Sequence, residues 1–272
     1  IMNISVVILT LNEERNLPAA LASLRNLCDD VVVFDSFSGD ATCAIARDAG
    51  ARVVQRKFDN YAGQRQSALA DVSYKHKWLL MLDADERMDP TLWREMILRV
   101  HEVSAESTIF RVRRKDHFMG KWIKRSSGYP TWFGRLMRIG HVRVERAVNE
   151  EYLTEGKVEY LKGHLLHFPF ERGLAHWIDR HNVYSTMEAS IVAGKLEDSP
   201  RVSAFCSLDP TQRRKALKSA GYRMPLRPLL VFVYLYILRG RFLDGRPGFW
   251  FCGLRSVYEF FIDLKVRESS KS

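Results

Sequence analysis

Three carboxylates lie within four residues of this chain, in the segment Asp83-Ala84-Asp85-Glu86. Charges of one sign this close together repel one another unless a cation or a hydroxyl-rich ligand lies among them. One or two carboxylates are enough to hold Mg²⁺ or Mn²⁺ when phosphate oxygens and water complete the coordination shell. The segment therefore predicts a divalent-cation site, with Asp85 as the protein ligand and a diphosphate in the bound molecule. The alternative is a solvated turn that caps the next helix.

The position of this segment supports the chemical interpretation, because Asp-x-Asp alone is a tripeptide that occurs often by chance. A largely apolar run, residues 78–82, precedes it and predicts a buried strand. Earlier strands and helices are predicted to alternate. The predicted strands are 4–9, 31–34 and 52–55, and the predicted helices are 17–27, capped by Asn16, 41–49 and 63–71. This alternation predicts an α/β fold, a mostly parallel sheet with helices on both faces.

Polar side chains follow three of these strands. In open α/β sheets, ligands bind at the edge formed by the carboxyl ends of the parallel strands. A carboxylate such as Asp35, after an early strand, suits a ribose hydroxyl or a base edge, and Asp83 can do the same. The side chains expected at this edge are Thr10, Asn12, Glu13, Asp35, Asp83 and Asp85.

Neither of the two usual phosphate-binding loops is present. The chain lacks both GxGxxG and GxxxxGK[ST], which excludes the common dinucleotide-binding and P-loop classes. A metal ion together with basic side chains must then hold the diphosphate. Arg56, Lys57 and Arg65 are the candidates, although each taken singly is more often a solvated surface charge.

Composition limits the class of protein. A chain of 272 residues that is 46% hydrophobic can form one large domain, or one domain with an appendage. Its four cysteines are far apart, which suits a reducing cytosol and argues against a disulfide scaffold or structural zinc. The first residues enter a strand directly, so no secretory signal is predicted.

The sequence changes character after residue 108. Strands are predicted at 109–114 and 133–139, a helix at 173–192 and a linker at 196–209. We therefore divide the chain into a catalytic α/β domain, residues 1–195, and a C-terminal extension, residues 196–272.

This extension is basic and apolar at once. Residues 201–272 contain fourteen Lys/Arg against five Asp/Glu, so they hold +9 of the net charge of +10. The apolar run 229–238 is well short of the roughly 20 residues that a membrane-spanning helix needs. Arginines interleaved with aromatic residues predict amphipathic helices over residues 225–266 that lie on an anionic membrane surface. A soluble helical hairpin is the alternative; nucleic acid is not expected, because such a surface would not carry long apolar runs.

Four motifs in order, ISVVILTLNEERNL, VVVFDSFSGDAT, YAGQRQSAL and WLLMLDADE, resemble the inverting glycosyltransferases of family 2, which have the GT-A fold. Later segments, among them RRKDHFMGKWIK, VNEEYLTEGKVEYLKGHLLH and ILRGRFLDGRPGF, resemble the subgroup that contains the lipopolysaccharide inner-core β-1,4-glucosyltransferases. The subgroup usually has Val-His-Glu where this chain has Val148-Asn149-Glu150. This departure suggests a different donor or acceptor sugar.

The resemblance implies roles for individual residues. Thr10, Asn12, Glu13 and Asp35 would hold the base and ribose of a nucleotide, and Gln64 and Arg65 would lie under the uridine and the diphosphate. Asp83 would contact the ribose, Asp85 would bind Mg²⁺ or Mn²⁺, and Glu150 would be the catalytic base, with Glu151 as a rival.

The expected function is transfer of a sugar from a UDP-sugar to a glycan acceptor linked to lipid, in the synthesis of cell-envelope polysaccharide or lipopolysaccharide. The expected location is the cytoplasmic face of the inner membrane. A sugar nucleotidyltransferase is a rival, but its Gly-rich N-terminal loop is missing. The histidines at 164, 167, 176 and 181 match no common zinc spacing, so we expect them to shape the acceptor pocket or to satisfy core hydrogen bonds.

Overall fold

The computed structural model describes residues 3–145, 151–196, 224 and 226–269, with the backbone alone at 151 and 194–196. The strands are β1 (Ile4–Thr10), β2 (Val31–Asp35), β3 (Arg52–Gln55), β4 (Trp78–Asp83), β5 (Glu86–Arg87), β6 (Ser107–Phe118), β7 (Lys121–Trp122), β8 (Trp132–Arg138), β9 (Arg143–Glu145), β10 (Glu151–Leu153) and β11 (Lys157–His167). The helices are α1 (Leu17–Leu24), α2 (Thr42–Asp48), α3 (Tyr61–Ala70), α4 (Pro90–Glu102), α5 (Gly173–Leu196), α6 (Arg227–Val233) and α7 (Arg246–Ser269).

The main sheet is mostly parallel. Its strands follow the order β3-β2-β1-β4-β8-β6-β11-β5. Strands β1 to β4 are parallel to one another, β8 is antiparallel to both β4 and β6, and β11 is parallel to β6. Since β8 reverses direction between β4 and β6, those two strands run the same way. The carboxyl ends of β1, β2, β4, β6 and β11 therefore all lie at one edge of the sheet.

Both faces of the sheet are covered. Alternate residues of β1 and β4 point to opposite sides, and each side has its own buried core. Val6 and Leu80 pack with Leu17 of α1 and Met96 of α4 on one face, while on the other face Met81 belongs to the core that includes α3. The predicted α/β fold, with a mostly parallel sheet and helices on both faces, is confirmed.

The predicted elements differ from the observed ones mainly at their ends. Helix α1 ends at Leu24 instead of residue 27, and Asn26 adopts a left-handed φ of 62° that a helix cannot continue. Asn16 stands at the N-cap position but makes no side-chain capping bond, so the predicted cap is wrong. Its amide donates instead to Glu13 Oε2 at 2.7 Å.

The described chain forms two compact units. The first contains the residues up to His117 and Gly128–Glu171, and the second contains Phe118–Ser127 and the residues from Arg172 onward. Helix α5 thus groups with the C-terminal helices and not with the sheet, which differs from the predicted boundary at 195/196. The reason is local packing, because Lys265 of α7 donates to Asn182 and Ser185 of α5 at 2.6 and 2.8 Å.

The second unit is helical, as predicted for the extension. A π-helical turn, Tyr234–Leu238, continues α6, and a 3₁₀ turn, Arg241–Asp244, leads to α7. Arg227 at the start of α6 forms ion pairs with Glu259 and Asp263 of α7. Among the residues that the structure describes, none belongs to a helix long and apolar enough to cross a membrane.

Candidate functional site

Asp35 and Thr10 lie side by side at the carboxyl ends of β2 and β1. Asp35 is fully buried, and its carboxylate accepts hydrogen bonds from Thr10 Oγ1 at 2.9 Å, Gln55 Nε2 at 3.0 Å, and both the backbone N–H and the hydroxyl of Ser38. Burial alone raises the pKa of Asp35, but these hydrogen bonds, those from Ser38 foremost, lower it below its usual value. All four acceptor positions of this carboxylate are occupied. A ligand hydroxyl would therefore have to replace one of these donors.

Asn12 and Glu13 join two loops at this edge. Asn12 adopts a left-handed φ of 55°, and its side-chain oxygen accepts from the backbone N–H of Gly39 at 2.8 Å. The backbone N–H of Glu13 donates to Thr42 Oγ1 at the start of α2. These bonds fix the loop after β1 against the loop after β2, so the two predicted residues form one wall with Ser38.

Gln64 and Arg65 enter the edge from the first turn of α3. Asn60 caps this helix by accepting from the N–H of Gly63 at 2.8 Å. Buried Gln64 donates to Ser36 Oγ and accepts from Arg56, both at 2.9 Å. Arg65, also buried, donates to Asp83 Oδ1 at 2.7 Å. The structure therefore brings both predicted side chains to the strand ends.

Asp83 forms the centre of a buried ion-pair network. Its Oδ1 accepts from Arg65, and its Oδ2 accepts from Arg135 of β8 at 2.5 Å. Arg135 also bonds Glu86 at 2.8 Å, and both of these side chains are almost wholly buried. Burial acts to raise the pKa of Asp83, but Arg135 and Arg65 hold it far below its usual range. The Asp83 side chain keeps 27% of its surface exposed, so a ligand can still reach it.

This network corrects one sequence-based inference. The close carboxylates predicted a cation or a hydroxyl-rich ligand among them, but the protein's own guanidinium groups already neutralise Asp83 and Glu86. Asp85 is the carboxylate of the three that no arginine bonds among the described contacts; it faces a histidine instead.

Asp85 Oδ2 lies 3.2 Å from Nε2 of His167, at the end of β11. The other ring nitrogen of His167, Nδ1, lies 2.6 Å from Asp116 at the end of β6, and Asp116 also accepts from Arg114 at 2.9 Å. Burial lowers the pKa of His167, but Asp85 and Asp116 outweigh it and raise this pKa to about 9. Burial raises the pKa of Asp85, whereas His167 lowers it below the usual value.

The backbone holds this arrangement in place. The N–H of Phe168 donates to the carbonyl of Asp85 at 2.9 Å, and β5 pairs with the end of β11. The Phe168 ring lies against the Arg87 guanidinium at 4.6 Å and is stacked with His117 at 4.9 Å. The segment after Asp85 is thereby fixed to the residue after His167.

The donor atoms of Asp85 and His167 fit a divalent cation. A carboxylate oxygen and an imidazole nitrogen are ordinary ligands of Mn²⁺, and they point at each other here. Asp116 on Nδ1 is the kind of partner that fixes the orientation of a metal-binding histidine. A histidine ligand must be the neutral ring, so a cation would have to displace the proton that Asp85 and Asp116 favour on His167. No group of three or more His, Cys, Asp or Glu side chains suited to a metal occurs in the described ranges, so phosphate and water would have to complete the shell.

The structure does not test the predicted base. Glu150 lies outside the described residues, and at Glu151 only the backbone, in β10, is described. Both assignments stay predictions.

Sequence reasoning missed three residues of this edge: His167, Asp116 and Arg135. His167 and Asp116 end strands that are far from β4 in the chain but parallel to it, so the signal was the strand-end position, as for Asp83. Zinc spacings within a short stretch of sequence cannot reveal a histidine–carboxylate pair that forms across the sheet. Two of the other three histidines bond to groups outside this pair: His164 bonds Tyr129 at 2.7 Å, and His181 bonds the carbonyl of Trp177 at 2.8 Å.

Comparisons with known proteins identify the family. The model of the family described as glycosyl transferase family 2 matches residues 5–153. An uncharacterized glycosyltransferase of Rickettsia conorii is 34% identical over 288 aligned residues, covering 98% of this chain and 90% of that protein. Another, of Rickettsia bellii, is 34% identical over 121 residues but covers only 44% of this chain and 37% of its own length.

Solved structures are more distant. Glucosyl-3-phosphoglycerate synthase from Mycobacterium tuberculosis, in complex with Mn²⁺, UDP and glucosyl-3-phosphoglycerate, is 24% identical over 47% of each chain, with a TM-score of 0.35. A likeness at this TM-score supports no inference about ligands. The predicted enzyme class rests on the sequence relatives, whereas the subgroup of lipopolysaccharide inner-core enzymes is not confirmed. Because the family match extends from β1 through β10 and the Rickettsia conorii relative aligns over nearly the whole chain, the protein belongs to glycosyl transferase family 2, as its four ordered motifs predicted.

Proposed function

We propose that this protein transfers a sugar, with inversion, from a UDP-sugar to a hydroxyl group of a glycan acceptor. The observation that carries the proposal is the pair formed by Asp85 and His167 at a sheet edge that also presents Asp35, Asp83 and Arg65. A nucleoside diphosphate with its cation matches what this edge can bind. The base and ribose are polar, and the cation would join the diphosphate to the protein.

The nucleoside end would lie over the wall formed by the loops after β1 and β2. Thr10, Asn12, Glu13 and Asp35 are fixed there by hydrogen bonds between the loops, so little ordering is needed on binding. Gln64 and Arg65 lie between this wall and Asp83. The guanidinium of Arg65 would then lie beside the diphosphate of the donor.

The metal ion in this proposal is Mg²⁺ or Mn²⁺, with Asp85 and His167 as its protein ligands. When bound, such an ion stabilises the negative charge that accumulates on the departing diphosphate. Other residues of the chain hold the two metal ligands in position. Asp116 orients the His167 ring, and Arg135 and Glu86 hold the loop that carries Asp85.

The acceptor hydroxyl is a weak nucleophile at neutral pH, so a carboxylate must take its proton as it attacks the anomeric carbon. We assign this step to Glu150, with Glu151 as the alternative. Attack from the side opposite to the diphosphate forms the new C–O bond as the old one breaks, in a single displacement that inverts the anomeric centre. No covalent sugar–protein intermediate is required.

The proposed acceptor is a glycan carried on lipid, and the proposed pathway is cell-envelope polysaccharide or lipopolysaccharide synthesis on the cytoplasmic face of the inner membrane. Two features support this. The later motifs resemble the inner-core subgroup, and the C-terminal unit is basic and apolar. Asn149, in the position where the subgroup has histidine, favours a donor or acceptor sugar other than that of the subgroup.

A nucleotide-binding screen tests the proposal. Thermal unfolding is measured with UDP, UDP-glucose and other nucleotides, each with Mn²⁺ and with EDTA. UDP should stabilise the protein much more with Mn²⁺ than with EDTA, and Asp85→Asn and His167→Ala should each remove that difference. His101→Ala, an exposed position of α4 in the same unit, is the control for the loss of a histidine and should behave as wild type.

Two results would count against the proposal. Equal stabilisation by UDP with and without the metal would separate Asp85 and His167 from metal binding. Release of inorganic pyrophosphate from a nucleoside triphosphate in the presence of a sugar phosphate would indicate a nucleotidyltransferase instead.

A further inference from the structure

We infer that the C-terminal unit carries a membrane-binding surface on α6 and the two turns that follow it, and that its partner is the headgroup region of an anionic bilayer. The surface centres on six side chains that we call the outer face: Leu229, Leu230, Val233, Tyr234, Ile237 and Leu238. Each is at least 40% exposed, and Leu238 reaches 74%. This inference deepens the proposed membrane location, but it does not depend on the sugar-transfer chemistry, because it concerns a different unit of the chain.

The segment that carries the outer face is apolar on both sides. Its opposite side, which includes Phe232 and Tyr236, is half-buried, and both of these rings contact Phe249 of α7, at 5.5 and 5.6 Å between centroids. A helix that is apolar all round is expected to be covered all round. Helix α7 covers one side of α6, whereas the outer face is exposed to solvent in the structure.

The exposure is not a result of loose packing. Arg227 ties α6 to α7 through Glu259 and Asp263, and Ser256 of α7 donates to the carbonyl of Pro228 at 2.7 Å. Asp244 in the 3₁₀ turn accepts from the backbone N–H of Ser126 at 2.7 Å. The unit thus has a fixed framework that presents apolar groups outward, which indicates an interaction surface.

The 3₁₀ turn and the start of α7 expose further apolar side chains. Phe242 and Leu243 in the 3₁₀ turn are 48% and 59% exposed, and Trp250 at the start of α7 is 51% exposed. Tyr and Trp prefer the boundary between lipid headgroups and acyl chains, because each ring has an apolar body and a polar atom. Tyr234 and Trp250 supply both types.

Charge favours an anionic bilayer over a second protein surface. Arg239 and Arg246 are exposed and lie just after the outer face and at the start of α7. Between residues 226 and 250 the chain has four arginines and one carboxylate, Asp244. An apolar face bordered by arginines is the pattern of helices that lie in the membrane interface, since lipid phosphates pair with the cations while the acyl chains receive the apolar groups. The apolar segment is too short to span the bilayer.

Vesicle flotation of the full chain without nucleotide tests this inference. Vesicles of equal parts phosphatidylglycerol and phosphatidylcholine should carry the protein, and vesicles of phosphatidylcholine alone should carry much less. Leu238→Asp should lower the partition coefficient by about tenfold. Arg239→Gln combined with Arg246→Gln should lower it by roughly fivefold for each arginine on the anionic vesicles only, and high salt should have the same effect.

Leu98→Asp is the matched control, because Leu98 is 60% exposed on α4 of the other unit and should leave flotation unchanged. Thermal unfolding and UDP binding check that each variant is folded; should Leu238→Asp unfold, Leu243→Asp takes its place. Binding that is absent for the wild type, or that survives both aspartate variants, overturns the inference. Concentration-dependent dimerisation that Leu238→Asp abolishes would assign the face to a second copy of the chain, and salt-sensitive binding of RNA in place of vesicles would assign it to nucleic acid.

Discussion

At the sheet edge, Asp83 has both carboxylate oxygens bonded to arginines, while Leu238 of the outer face is 74% exposed. In the first unit, charged side chains that water would normally solvate are bonded to fixed partners and are largely buried. In the second unit, apolar side chains that are unfavourable in water are exposed. Buried and paired charges cost desolvation but hold a site in one geometry, whereas exposed apolar groups remain available to another surface. The two regions therefore differ in kind. The sheet edge is a site whose charged groups are already fixed in place, whereas the outer face is an apolar surface exposed to solvent.

The largest expected effect concerns the base. Glu150→Gln keeps the shape of the side chain but removes the proton acceptor, so turnover should fall by roughly 10²–10⁴ while Mn²⁺-dependent UDP binding persists. Steady-state rates and thermal shifts measure the two quantities separately. If Glu151→Gln is the inactive variant and Glu150→Gln turns over normally, the base is the neighbour; if both are active, neither residue is the base.

The next prediction concerns how much the buried ion pairs of the first unit contribute to the free energy of unfolding. Arg135→Ala leaves Asp83 and Glu86 without their shared partner, and removing one member of a buried ion pair costs about 3–5 kcal/mol. Chemical unfolding should report a loss of this size. Arg99→Ala, which breaks a partly exposed pair with Glu159, is the control and should cost less than about 1 kcal/mol. Equal losses in the two variants would show that the network contributes no more than a surface pair.

A smaller effect is expected at Asp116, which acts through the His167 ring. Asp116→Asn removes the carboxylate that orients this ring, and the loss of such a partner lowers metal affinity by about 10–100-fold. Titration of Mn²⁺ in the presence of UDP measures this directly. Asp48→Asn, on the exposed side of α2, should leave the affinity unchanged. An Asp116→Asn variant with wild-type affinity would mean that the Asp116 carboxylate does not support metal binding through the His167 ring.

The sequence was most informative where the contacts are local. Continuous apolar runs predicted β1, β2 and β4, and the residues after them meet at one edge because neighbouring parallel strands end together. Asp116, Arg135 and His167 could not be placed in the same way. They lie on β6, β8 and β11, and their position depends on β8 running antiparallel between β4 and β6, which periodicity does not encode. Asn16 shows that local preferences can also mislead. Asparagine is a common N-cap residue, but the Asn16 side chain bonds to Glu13 and does not cap the helix.

Composition predicts a helical C-terminal extension, and the structure has helices there, but composition does not tell which of their apolar residues are exposed. Which residues are exposed depends on packing: Phe232 and Tyr236 contact Phe249 of α7, so the opposite side, the outer face, is exposed to solvent. The predicted boundary at 195/196 followed a composition change, whereas α5 belongs with α7 through side-chain contacts.

The smallest effect is expected for a substitution on the outer face, and it is best measured beside a matched substitution in the core of the sheet. Leu80→Ala in β4 removes a wholly buried side chain and should cost about 2–5 kcal/mol of unfolding free energy. Leu238→Ser removes a similar apolar volume from the outer face, where water already surrounds the side chain, and should change the unfolding free energy by no more than about 0.5 kcal/mol. Chemical unfolding of both variants, at several protein concentrations and without lipid, makes the measurement. A loss above 1 kcal/mol for Leu238→Ser, growing with protein concentration, would contradict the expected exposure and show that the outer face is covered in solution by another copy of the chain. A loss independent of concentration would place the covering group within the chain itself.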